Sequence, residues 1–467
     1  MKPNRAAPNS TPPRSGARPV RLFAAALLGV LVAGCAAQET EGVGETLAQN
    51  PPPAAIDPKP KVPAPVPQTV QSAPTKPEAP TLTAPDDGEV RIGLLLPLSG
   101  EAAPLGEAFR NAVLLAMHDI GNGRLRLLVR DTAADPATAE AAARDVLQQG
   151  AQLVLGPLTR SSTLAAAAAT RERATPMIAF SSDETVAGDG VYLLSLTPRQ
   201  ELSRIVAHLG RQGLLRLAIL APQTPYGELA VSVARSEAQT ALIDLVDVAT
   251  YFPGGEDAQQ AVQRIADFDN RRQALVARKR ELAQLATAAA KAELRRLQNA
   301  DTYGPPPFDA LLTPDSGASL QQVAPFIPYF DIDPGDVRLV GTGLWDSPEA
   351  LQEPALKGGW FAAPDPVNRA DFMERYRATF GAPAPRLATL AYDAGLLAAA
   401  LAGDAGLPDY GIDRLRDPEG FAGADGIFRF RADGRADRGL AVLEIDGRGG
   451  VSVVDPAPER FPPALLN

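Results

Sequence analysis

From Val90 onward the chain repeats one pattern: a short apolar run, a break at Pro, Gly or Ser, then a longer stretch with apolar residues at helical spacing. The first copy is Val90-Arg91-Ile92-Gly93-Leu94-Leu95-Leu96, broken by Pro97-Leu98-Ser99-Gly100 and followed by Leu105, Ala108, Ala112, Leu115 and Ala116. A continuous apolar run bounded by breakers reads as a strand buried on both faces, and the stretch after it as an amphipathic helix. Further strand-like runs are Leu125–Val129, Leu153–Leu155, Met177–Phe180, Leu217–Leu220 and Ala310–Leu312. Helix-like stretches between them include Ala137–Gln148, Ser162–Arg173, Arg199–Leu209 and Gly227–Ala241. This alternation predicts an α/β architecture with parallel sheets. The body, residues 89–456, is longer than one sheet comfortably uses, so two lobes are expected, with 457–467 as a tail.

Composition removes whole classes of function. The 467 residues carry 45 Lys+Arg against 55 Asp+Glu, and the first 34 hold five bases and no acid, so residues 35–467 have a net charge of −15. Such a body has no electrostatic footprint for nucleic acid. Cys35 is the single cysteine, which precludes an intrachain disulfide and a cysteine-based metal site. The two histidines, His118 and His208, fall in separate helical stretches and read as satisfied or solvent-facing residues, so no metal is expected. There is no GxSxG elbow, no HExxH and no Gly-rich phosphate loop, and Gly341-Thr342-Gly343 is too short for a dinucleotide fingerprint. No catalytic residue and no cofactor is assigned, and the reading is a protein that is not an enzyme.

Residues 1–34 have the form of an address. A basic, acid-free start leads into the twelve-residue apolar run Leu22–Ala33, the length of a signal-peptide core and too short to span a membrane. Val32-Ala33-Gly34-Cys35 resembles a bacterial lipobox, which implies cleavage before Cys35 and its lipidation. By the sorting rule of such lipoproteins Ala36, in place of Asp, implies the outer membrane rather than the inner one, facing the periplasm. Residues 35–88 lack periodicity, and 50–85 hold twelve Pro, so the segment is expected to be a disordered, extended linker reaching roughly 160 Å at ~3.1 Å per residue. It reads either as a passive spacer or as a tether for an anchored body.

In parallel sheets ligands bind beyond the carboxyl ends of strands, where loops meet helix N-termini. The loops here are rich in hydroxyls: Ser99-Gly100, then Gly156-Pro157-Leu158-Thr159-Arg160-Ser161-Ser162-Thr163, then Ser181-Ser182-Asp183, then Thr224-Pro225-Tyr226-Gly227. Two readings stand side by side. Hydroxyls and free amides suit a small polar ligand, and the same residue types cap helices.

IGLLLPLSG, DTAADPATAEAAARDVLQQGAQLVLGPLTRSST, PMIAFSSDE and APQTPYGELA, in this order, resemble the leucine-binding, type 1 periplasmic binding proteins. That resemblance implies two Rossmann-like lobes with a ligand cleft and three crossovers: lobe one about 89–204 and 365–430, lobe two about 205–364 and 431–456. It also implies a ligand carboxylate held near Thr159, Ser161, Ser162, Ser181 and Ser182, with Tyr226 at the rim. Ser99, Arg160 and Thr342 are further cleft candidates, and Asp183, Asp315 and Asp346 are the candidates for holding an ammonium. GPPPFDALLTPDSG, RLVGTGLWD, GGWFAAPDP, RLATLAYDA and GFAGADGIFRFRADGRADRGLAVLEI resemble the penicillin-binding protein activator (LpoA-like) lipoproteins. The chain departs from their best-known members in having about fifty low-complexity residues where those carry a helical repeat domain.

Residues 257–300 read as a helical insert. Between Arg271 and Arg296 it has eight bases and two acids, net +6 on an acidic protein. It is either a solvated hairpin on lobe two or a docking surface through Arg271, Arg272, Arg278, Lys279, Arg280, Arg295 and Arg296, for an acidic partner or for peptidoglycan peptides. The LpoA-like resemblance implies a lipoprotein that regulates peptidoglycan synthesis by binding a penicillin-binding protein. The alternative is the receptor of an amino-acid ABC importer.

Overall fold

The computed structural model describes residues 88–285 and 287–461. The leader, Cys35 and the Pro-rich segment lie outside the described residues. Lobe one opens with β1 (Val90–Leu96), α1 (Ala103–Ile120), β2 (Leu125–Asp131), α2 (Pro136–Gln148), β3 (Leu153–Leu155), α3 (Arg160–Glu172), β4 (Met177–Ala179) and β5 (Val191–Leu193). The strands lie parallel in the order β2-β1-β3-β4-β5. Along β1, Ile92, Leu94 and Leu96 enter one apolar layer with Phe109 and Val113 of α1, while Leu95 enters the opposite layer with Ala143 of α2 and Ala166 of α3. Cover on both faces is why the run is apolar without alternation.

The chain then crosses to lobe two for α4 (Pro198–Arg211), β6 (Arg216–Pro222), α5 (Pro225–Thr240), β7 (Asp244–Tyr251), α6 (Ala258–Ile265), α7 (Phe268–Gln284), α8 (Ala288–Arg296) and β8 (Ala310–Leu312). The short helices α9 (Gly317–Val323) and α10 (Phe326–Tyr329), then β9 (Arg338–Gly341), α11 (Pro348–Leu351) and β10 (Trp360–Ala363), complete this pass. It returns to lobe one for α12 (Pro366–Phe380), α13 (Ala388–Ala402), α14 (Ile412–Leu415) and a small antiparallel sheet of β11 (Phe421–Gly423), β12 (Gly426–Phe430) and β13 (Ala436–Arg438). It ends in lobe two with β14 (Ala441–Ile445) and β15 (Val451–Asp455). The second large sheet runs β15-β14-β10-β9-β8-β6-β7, with β14 and β15 antiparallel at one edge. Two lobes and three crossovers are thus present.

Three expected boundaries move. Lobe two begins at α4 rather than at 205, because Leu202, Ile205 and Leu209 pack against Leu217 and Ile219 of β6. Ala436 of β13 belongs to the core of lobe one, so the last crossover falls just before Leu440 rather than at 431. The insert begins at Phe268 rather than 257, because Ala261, Val262 and Ile265 of α6 lie in the core of lobe two and make α6 an ordinary crossover helix.

Two glycines set how closely helices follow strands. A Cβ on Gly106 of α1 would lie 1.9 Å from the Pro97 carbonyl oxygen, and one on Gly227 of α5 2.0 Å from that of Pro222. Both first turns therefore sit directly on the preceding loop, which brings the loops after β1 and β6 to equivalent places in the two lobes. The final strand is tied back to α4: the Asp455 carboxylate accepts from Arg204 and from His208, each at 2.9 Å, and also pairs with Arg211. His208 is a satisfied buried side chain, and His118 lies on the solvent face of α1.

Candidate functional site

Loops at the carboxyl ends of both sheets line the cleft. On lobe one the hydroxyls are largely committed to local structure. Thr159 caps α3, its Oγ1 accepting from the Ser162 amide at 3.3 Å and donating to Ser162 Oγ at 2.8 Å, and Ser162 is buried. Arg160 is exposed and pairs with Asp183 at 2.8 Å, which ties the loop after β3 to the loop after β4. Buried Ser181 accepts from the Asp183 amide at 3.2 Å. Asp183 itself caps the turn at Glu184–Val186, and the Thr185 hydroxyl holds its carboxyl below the usual range. Ser99 is exposed and its hydroxyl bonds Asp131. Ser161 and Ser182 are exposed, with Ser161 Oγ 3.5 Å from Thr159 Oγ1. Ser182 joins Glu184, Thr185, Arg199, Tyr226 and Leu229 around an open cavity of about 530 Å³ between the lobes.

On lobe two, Tyr226 donates its hydroxyl to Thr342 Oγ1 at 2.9 Å, and Thr342 is fully buried at the end of β9. Burial and the nearby charge of Glu201 raise the Tyr226 hydroxyl well above its ordinary pKa, so it stays a donor. Asp315 is buried and accepts from Tyr251 at 2.5 Å and from the Ser316 amide at 2.8 Å. Each of its oxygens thus accepts a hydrogen bond within lobe two.

A largely buried chain of seven alternating charges crosses the seam between the lobes. Glu201 of α4 lies 3.7 Å from Arg386, and Arg386 reaches Asp346 at 3.3 Å. Asp346 also binds Arg369 of α12 at 3.0 Å, and Arg369 binds Asp425 at 3.1 Å. Arg438 of β13 lies 4.0 Å from Asp425 and 3.4 Å from Asp393 of α13. Glu201 and Asp346 belong to lobe two and the other five to lobe one. Hydrogen bonds complete the array: the Gly343 amide donates to Glu201 at 2.9 Å, Thr389 to Asp425 at 2.6 Å, and the Ala424 amide to Asp393 at 2.6 Å. Gly343 must be glycine, since a Cβ would lie 2.2 Å from the Glu201 carboxylate. With four acids and three bases the chain holds one excess negative charge. Burial accordingly pushes Glu201 up to about 7 against the pull of Arg386, and burial with neighbouring Asp425 raises Asp393 against that of Arg438.

Asp346, a candidate for holding a ligand ammonium, instead holds two arginines. Glu201, Arg369, Arg386, Asp393, Asp425 and Arg438 were not singled out from sequence, although Arg386, Asp393, Asp425 and Arg438 lie in the stretches RLATLAYDA and GFAGADGIFRFRADGRADRGLAVLEI. Asp346→Ala is expected to remove the bridging carboxylate and loosen the seam, lowering stability by about 1–3 kcal/mol and enlarging the radius of gyration. Melting and small-angle scattering would measure both, and an unchanged scattering curve would show that other contacts hold the lobes.

The insert is an antiparallel hairpin with its own small core of Leu275, Leu282, Ala290 and Leu297. Arg271 is withdrawn from the docking candidates: it is buried and donates to the Gly304, Asp331 and Ala266 carbonyls. Arg278 is neutralised by Glu281 and Glu293 at 2.9 and 3.0 Å. Arg272, Arg280, Arg295 and Arg296 are exposed and Lys279 half-buried, and none has an ion pair among the described residues. Among those residues, too, no group of three His, Cys, Asp or Glu is placed to hold a metal, and no helix is long and apolar enough to cross a membrane.

Two α/β lobes, three crossovers and a cleft at the carboxyl ends of both sheets define a two-lobed binding protein of the type 1 periplasmic class. Residues 89–450 match the periplasmic binding protein family, and the chain belongs to that family. It is similar to penicillin-binding protein activator LpoA of Vibrio cholerae, with 30% identity over 149 residues covering 31% of this chain and 24% of that protein. The same-named protein of Photobacterium profundum is 28% identical over 178 residues, 37% of this chain and 28% of the relative. The matched stretch is thus about a quarter of either relative's length. Among solved structures, a branched-chain amino acid ABC transporter periplasmic ligand-binding protein from Burkholderia xenovorans is similar at a TM-score of 0.59 and 15% identity, over 79% of this chain and 96% of that one. LivJ from Streptococcus pneumoniae, in complex with isoleucine, is similar at a TM-score of 0.51 and 19% identity, over 79% and 100%. At these identities the likeness speaks for the fold alone.

Proposed function

We propose that this chain is a non-enzymatic periplasmic lipoprotein, anchored in the outer membrane through Cys35, that regulates peptidoglycan synthesis by binding a penicillin-binding protein. The observation that carries the reading is the seven-charge chain, which ties the lobes together through their own side chains and leaves the exterior as the surface for a partner. The capped hydroxyls around Thr159 and Ser181 favour it, as does the likeness to relatives named as penicillin-binding protein activators. A second reading, the receptor of an amino-acid importer, is favoured by the open cavity beside Ser182 and Tyr226.

Affinity capture and thermal shift separate the two. The full chain is expected to retain a detergent-solubilised penicillin-binding protein and to melt within about 1 °C of its free value in saturating leucine, isoleucine or glutamate. A ligand at a thousand times its dissociation constant stabilises by about 4 kcal/mol, so several degrees of shift with an amino acid, and no capture, would replace the first reading by the second.

A further inference from the structure

Most of the hairpin's free cations lie to one side, with Arg296 on the other. In α7 the side chains that touch α8 recur at Leu275 and Leu282, and at ~100° per residue Arg272, Val276 and Lys279 fall together on one flank of that contact face. In α8 the contact face is set by Ala290 and Leu297, and the same rotation puts Lys291 on the corresponding flank and Arg295 at its outer edge, as it puts Arg280 at that of α7. Arg278 meeting Glu293, with only Leu285 to Thr287 between the helices, makes the pair antiparallel. In an antiparallel pair, flanks reached by the same rotation open to the same side. One face therefore presents Arg272, Lys279, Lys291 and Arg295 around Val276, and none of the four has an ion pair among the described residues. This face stands on a chain that carries −16 outside Arg271–Arg296.

We propose that this face docks an acidic surface of a partner protein, with the four cations engaging carboxylates spaced one to two helical turns apart. A protein fits better than a membrane. Val276 and Leu285 are the large apolar side chains exposed on these helices and their turn, and the rest of the apolar surface is buried between the helices. An interfacial helix needs a broad apolar face, commonly with aromatic residues, and neither helix offers one. Two arginines, with planar forks that match carboxylates, and an apolar centre ringed by charge suit a protein interface. The inference rests on the reading that the chain acts through a protein partner.

The test places a photo-crosslinking benzoylphenylalanine at Val276 of the full chain in living cells. One protein adduct is expected, mapping to a segment with clustered Asp and Glu. Arg272→Glu, Lys279→Glu and Arg295→Glu together should lower its yield about tenfold without moving the melting temperature, and reversing the mapped carboxylates to lysine should restore it. No adduct, an adduct with lipid or glycan, or a yield indifferent to the charge reversal would overturn the inference. Capture of the penicillin-binding protein that survives the triple reversal would overturn the docking face and leave the functional reading standing. An adduct with a different acidic protein, rescued by the charge swap, would sustain the face and remove the penicillin-binding protein as its partner.

Discussion

Asp393→Ala is expected to cost about 3–5 kcal/mol, a large part of the stability of an ordinary domain. Asp393 and Arg438 have no exposed side-chain surface, and the carboxylate accepts from Arg438 and from the Ala424 amide. Alanine would leave a buried guanidinium with only Asp425, 4.0 Å away and already shared with Arg369 and Thr389, and would leave the Ala424 amide without an acceptor. The charge is what makes the loss large. Adding Arg438→Met to the alanine variant should recover part of it, because two apolar side chains bury more easily than one unpaired cation. Urea melts of the three variants would measure this. An alanine variant within 1 kcal/mol of the parent would show that the pair is not buried as described.

The second large effect depends on pH. Glu201 has a native pKa of about 7 against an ordinary value of 4.5, so the folded protein holds its proton where the unfolded chain has released it. The stability this contributes is complete below pH 4.5 and is lost as pH rises through 7, a change on the order of 3 kcal/mol. Glu201→Gln keeps an acceptor for the Gly343 amide but has no proton to release. The parent's stability relative to this variant should therefore fall by that amount between pH 4.5 and 8. His208, lowered by burial, and Asp393, raised by it, titrate alike in both proteins and cancel in the difference. Parallel stability curves across that range would show that Glu201 is ionised throughout.

Half of the strands in the two large sheets were legible, because parallel strands covered on both faces leave an apolar run, as at Leu94–Leu96, Leu153–Leu155 and Ala310–Leu312. β7 was not, because an edge strand partly open to solvent tolerates Asp244 and Asp247 and shows no such run. The loops of the cleft were also legible, since Ser, Thr and Asp mark every place where a strand passes into a helix. Whether a hydroxyl is free there depends on partners such as the Asp183 amide for Ser181, and capping has the same sequence signature as ligand binding. The seam was not legible as a unit, although most of its residues lie in stretches that carry the resemblance. Glu201, Asp346 and Arg438 are separated by 145 and 92 residues, and only the folded chain brings them into one line.

The three crossovers have a practical consequence. Because lobe one is assembled from 89–197 with 365–438 and lobe two from the two stretches between and beyond, neither is a continuous piece of gene, and no single truncation yields one intact. Deletion mapping would report misfolding as loss of contact, so the surface that meets a partner is best located by point changes on the whole molecule.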